Sequence, residues 1–77
     1  MLLSDLSKDD SAIITKLNCN DELKRRLYSF GIIEGTDIKI GEISIAKKTM
    51  EIISENTLIA IRIEEAKQIE VKQNGTN

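Results

Sequence analysis

The chain has 77 residues, 11 of them basic and 13 acidic, giving a net charge of −2 and a pI near 5.1. That length allows one domain burying about 60 % of its unfolded surface, and the acidic balance argues against nonspecific binding to nucleic acid or anionic lipid. Without His, with one Cys and with two aromatic residues, the sequence lacks the usual acid–base group, a paired thiol nucleophile and a base-stacking platform.

The apolar content is 14 Ile, 7 Leu and 1 Val, a set whose Cβ branching suits a pleated surface. No Pro is present, so turns must rest on Gly, Asn, Asp and Ser. In chain order, Leu3 and Leu6 make residues 1–6 a docking arm over the core. No basic segment precedes them and no run approaches a membrane span, so neither a signal peptide nor a spanning helix is expected. Ser7 to Ser11 is a polar turn in which Asp9 or Asp10 suits a strained backbone. Ala12 to Leu17 is the first expected strand, with Ile13, Thr15 and Leu17 on one face and Ile14 on the other.

Asn20 to Gly35 is the stretch around which the chain is organised. Leu23, Leu27 and Phe30 fall at i, i+4 and i+7, which stacks them on one helical face. Asn20 or Asp21 can cap the helix, and Asp21 and Glu22 put negative charge at its positive end. Lys24, Arg25 and Arg26 form a basic cluster in its middle. Gly31 stands where a left-handed C-cap residue is wanted, and Gly35 marks a second tight turn.

Asp37 to Ile45 follows, with Ile38 and Ile40 on one parity and Ile43 and Ile45 on the other. A period of two skips a beat only where a residue is inserted, so a bulge is expected at Gly41-Glu42. Ala46 to Thr49 is a polar connection to a strand over Met50 to Ser54, and Asn56 is the expected positive-φ residue of the next turn. In Leu58 to Ile63, Ile59, Ile61 and Ile63 face one way. Glu64 to Gln68 suits one helical turn, Ile69 to Val71 a closing strand, and 73–77 a disordered tail after a domain over 1–72. The sum is a mainly β fold. Five short strands spaced near ten residues, with one short helix after the first, fit a small SH3-like barrel.

Little chemistry is declared. Cys19 reads as structural. Asp9-Asp10 and Glu64-Glu65 read as solvated acids or weak hard-cation ligands, and G-I-I-E-G lacks the Lys-Ser/Thr of a phosphate loop. Lys24, Arg25 and Arg26 are either a solvated basic face or a patch for an acidic partner surface, to which the guanidinium fork is suited.

Leu3-Ser4-Asp5-Leu6, then Arg26-Leu27 with Gly31-Ile32 and Gly35, then Ala60-Ile61-Arg62 with Glu65-Ala66 and Ile69-Glu70-Val71, together resemble FeoA, the small ferrous iron transport protein A. The resemblance runs to about Val71. It implies an SH3-like barrel in the cytoplasm, not an enzyme and with no cofactor, acting beside the FeoB-type ferrous iron transporter and its cytosolic GTPase domain. Lys24, Arg25 and Arg26 are then the expected contact, with Gly31 and Gly35 shaping the turn beside it. The alternative is a stand-alone metal-responsive domain that binds Fe(II) or Mn(II) through carboxylates and Cys19. The family is loosely associated with transition-metal binding, which a chain with no His and one Cys supports little. Three departures stand out: Lys8-Asp9 replaces the family's Pro-Gly, Asn56 replaces a Gly, and Ala46 to Thr49 replaces a Gly-Asp-Pro-like connection.

Overall fold

Alternating branched residues build five strands and the two capped segments build helices in a computed structural model that describes residues 1–74. A short 3-10 turn at Leu3–Asp5 leads to β1 (Ser11–Leu17), α1 (Asp21–Ser29), β2 (Asp37–Ile43), β3 (Thr49–Ser54), β4 (Thr57–Arg62), α2 (Ile63–Ala66) and β5 (Ile69–Gln73). The strands form one antiparallel sheet in the order β4-β3-β2-β1-β5. The expected mainly β fold, with one helix after the first strand, is the fold observed.

Two bulges bend this sheet. Ile40 pairs with Ile52 but Ile43 with Met50, so β2 carries one extra residue at Gly41-Glu42. Its freed amide is not wasted, because Glu42 N–H donates to Glu51 Oε1 at 3.0 Å. A Cβ on Gly41 would lie 2.8 Å from that same oxygen and 3.1 Å from Glu51 Cβ, so a larger residue would have to displace the Glu51 carboxylate that accepts this bond. The second bulge lies in β1, where Ile14 pairs with Val71 and Lys16 with Glu70, leaving Thr15 extra. It corrects the expected facing of this strand. Ala12 and Ile14 point inward, Thr15 and Lys16 are both exposed, and Leu17 returns to the core.

The core collects Leu3, Ile14, Leu27, Ile32, Ile40, Ile52 and Ile61, all fully buried, and among the described residues no charged side chain joins them. The N-terminal arm docks as expected, with Leu3 fully buried and Leu6 nearly so. Ile45 does not join them. It sits in the turn after β2 and is fully exposed, because the strand ends at Ile43 and the chain reverses immediately. The hairpin between β3 and β4 closes on Ser54↔Thr57, and the positive φ falls on Glu55 (52°), the first of its two loop residues, in place of Asn56. Asp9 takes positive φ (73°) as expected. Gln73 is the last residue of β5 and Asn74 N–H donates to Ser11 O, so the ordered ladder runs past residue 72. The remainder of the expected tail, 75–77, lies outside the described residues.

Candidate partner-binding groove

The helix that carries the basic residues is fixed at both ends. Asn20 Oδ1 accepts from Leu23 N–H at 2.9 Å, and Asp21 and Glu22 occupy the first turn. At the other end Gly31 N–H donates to Tyr28 O and Ile32 N–H to Leu27 O, both at 2.9 Å, with Gly31 at φ +79°. This is the Schellman arrangement, and it brings Ile32 back over Leu27 in the core. It also corrects the expected apolar face. Phe30 is the C-cap and 45 % exposed, and Ile32 takes the buried place assigned to it.

Leu23 and Leu27 anchor α1, so the residues between them are distributed around its exposed surface at 100° per step. Lys24 therefore points away from Arg26. It lies close enough to Cys19 to pull its thiol pKa down, against the stronger upward push of burial. Arg25 and Arg26 instead line an open groove of about 940 Å³ between α1 and the β4–α2 segment. The opposite wall supplies Thr49, Ala60, Ile61, Arg62, Glu65 and Gln68.

Three guanidinium groups thus meet two carboxylates, Glu22 and Glu65, in one groove. Arg26 Nη2 lies 3.2 Å from Glu65 Oε1, and that oxygen also accepts from Arg62 N–H at 2.9 Å, capping α2. Arg25 and the Arg62 side chain form no hydrogen bond or ion pair among the described residues. The groove is therefore net positive on an acidic chain, with two of its three cations free to meet a partner.

Gly31 and Gly35 lie outside this groove. Both have positive φ (79° and 92°) in the turn between α1 and β2, where Gly35 N–H donates to Ile14 O at 2.7 Å. Around them Tyr28, Phe30 and Ile33 are each 45 % exposed. The expected five-residue patch is thus two surfaces. Arg62, which completes the groove, is missed by sequence reasoning because it lies on another element; its place in the Ala60-Ile61-Arg62 signature is the one signal that marks it. Cys19 is 9 % exposed, and burial raises its thiol above the ordinary range, which leaves it a poor nucleophile. Among the described residues no three Cys, Asp or Glu side chains gather closely enough to hold a metal ion, and no helix is long and apolar enough to cross a membrane.

Known proteins match this chain over nearly its whole length. Residues 1–73 match the FeoA domain. Fe(2+) transport protein A of Campylobacter jejuni is 38 % identical over 71 residues, covering 92 % of this chain and 96 % of that protein. The solution structure of FeoA from Chlorobium tepidum is 27 % identical with a TM-score of 0.93, over 100 % of this chain and 74 % of that chain. A crystal structure of Stenotrophomonas maltophilia FeoA complexed with zinc, described as a prokaryotic SH3 domain protein, is 29 % identical with a TM-score of 0.75, over 94 % of this chain and 89 % of that chain. The glycine-ended helix, the bent five-stranded sheet and the Arg62–Glu65 cap are thus features of a chain that belongs to the FeoA domain family, a family of Fe(2+) transport proteins.

Proposed function

We propose that this chain is a non-enzymatic accessory protein of ferrous iron uptake that docks on the cytosolic GTPase region of a FeoB-type transporter through the groove between α1 and β4. The observation that carries this reading is that one open cleft is lined by two unengaged arginines, Arg25 from α1 and Arg62 from the end of β4. Charged groups held on rigid elements steer an acidic partner and fix its register more than they add raw affinity. The family supplies the setting. The relatives are Fe(2+) transport proteins, and the Stenotrophomonas maltophilia protein is proposed as a ferrous iron transport activating factor. A chain without His, whose Cys thiol is buried, offers partner contact in place of catalysis.

The metal-responsive alternative needs a donor set that the described residues do not gather. Titration of the isotope-labelled chain with the purified GTPase domain tests the adaptor reading. Shifts are expected on 20–29 and 60–68. No shifts at high micromolar concentrations would overturn it.

A further inference from the structure

We propose that the open edge of β4 is where the partner binds, by adding an extended acidic segment as a further strand along Leu58–Arg62. This rests on the adaptor reading and names how the groove is used. The direction of the β4 backbone follows from its hairpin. A two-residue loop makes the flanking pair Ser54↔Thr57 a hydrogen-bonded one, and the pattern then repeats at Ile52↔Ile59 and Met50↔Ile61. The next step in the same phase is seen directly, since Ile63 N–H donates to Lys48 O at 2.9 Å. Leu58, Ala60 and Arg62 therefore turn their backbone groups away from β3.

Arg62 N–H is taken by Glu65 Oε1 at 2.9 Å. The N–H groups of Leu58 and Ala60 have no acceptor among the described residues. The opposite edge of the sheet is different: Val71 N–H donates to Met1 O at 2.8 Å, and Leu2 bridges to Glu70. One edge is covered by the chain's own N-terminus and the other is left open beside a basic groove. An unpaired edge is a template for a further strand.

Charge selects the occupant. Arg25, Arg26 and Arg62 against Glu22 and Glu65 leave the groove one positive charge in excess. Carboxylates on alternate residues of an added strand would reach Arg25 and Arg62, while the ladder bonds of Leu58 and Ala60 would supply sequence-independent affinity. A second copy pairing edge to edge would bring no carboxylate to these cations, since its β4 (Thr57–Arg62) has no acidic residue and ends in a further arginine, so an acidic partner segment is favoured over self-association.

Amide hydrogen exchange on the full chain tests this with two probes, the purified GTPase domain and a blocked octapeptide of alternating Glu and Val. Saturation with either is expected to slow the Leu58 and Ala60 amides roughly tenfold or more, with Ile59 and Ile61 little changed because they already lie in the ladder. Arg25→Glu should weaken peptide binding about tenfold, a difference of about 1.4 kcal/mol. Ala60→Pro, which removes an edge N–H at a position where Pro is tolerated, should abolish it. Arg25 is solvent-facing, so R25E keeps the test decisive if A60P fails to fold. If the GTPase domain binds without slowing these two amides, strand addition is overturned and the adaptor reading stands. Slowing by the peptide with no binding of the GTPase domain supports the edge site and removes the adaptor reading. Slowing by neither probe overturns the proposal. So does protection in the free protein that rises with its concentration, because the occupant is then a second copy.

Discussion

The two edges of the sheet are treated in opposite ways. Along β5, Met1 and Leu2 lie against the strand, with Val71 N–H bonded to Met1 O and Leu2 bridged to Glu70, and Leu3 is driven fully into the core behind them. Along β4 no residue of the described chain does this. The comparison shows that the N-terminal arm is an edge cover as well as core filling. It also shows that exposure on the other side is a local arrangement, since the same chain has the means to close an edge. Uncovered edges invite unwanted pairing, and β4 limits that hazard by being six residues long and ending in Arg62.

Breaking the covered side should have the largest effect. Leu3→Ala removes a fully buried side chain at a cost of about 2–5 kcal/mol, out of the ~5–15 kcal/mol available to such a domain. Urea unfolding would show a large loss of midpoint, and the Val71 amide would exchange faster as the arm lifts. A loss below about 1 kcal/mol with Val71 unchanged would mean that the edge is closed by something other than this anchor.

The open side depends on where α1 stands, because the helix forms the facing wall of the groove. Gly31→Ala tests that placement. Nothing lies within 4 Å of the added Cβ, so the expected cost is that of the left-handed backbone at φ +79°, about 1–2 kcal/mol. The groove shifts on peptide binding should persist if the helix stays docked through Leu23 and Leu27. Smaller again is Glu65→Gln. The amide oxygen can still cap α2 by accepting from Arg62 N–H, but the half-exposed ion pair with Arg26 is lost, for at most about 1 kcal/mol. With one carboxylate neutralised, the acidic octapeptide should bind more tightly and with a steeper salt dependence. Weaker binding would show that the Arg26–Glu65 pair positions the arginine and does not compete with the ligand.

How legible these features are from sequence depends on what marks them. The β2 bulge can be read because isoleucines stand on both sides of Gly41-Glu42 and visibly change parity. The β1 bulge cannot, since Thr15 and Lys16 are both polar and either phase fits; the pairing with β5 decides it. Phe30 is misplaced by carrying the helical period one residue beyond Ser29 onto the C-cap, where the Schellman turn at Gly31 ends the helix and puts Ile32 in the core. In the site, Arg25 and Arg26 can be picked out from their cluster. Lys24 falls on the wrong side of the helix, and Gly31 and Gly35 belong to a separate turn. Arg62 joins them through tertiary structure alone, and the open edge beside it is a property of strand order, which local patterns do not encode.

The smallest expected effect sharpens the comparison most directly. Leu58 is 57 % exposed on the open edge, whereas Lys72 stands on the covered β5 strand and is exposed there. Edge strands are commonly protected by a lysine, and on β4 the exposed Leu58 is apolar. Leu58→Lys should leave urea stability within about 0.5 kcal/mol of the parent, because little buried surface is lost. It leaves the Leu58 N–H in place, so strand addition by an acidic peptide should survive and strengthen slightly with the added cation. A loss of stability well beyond that range would mean that Leu58 packs against the body of the protein. The β4 edge would then be less open than its hydrogen bonding implies.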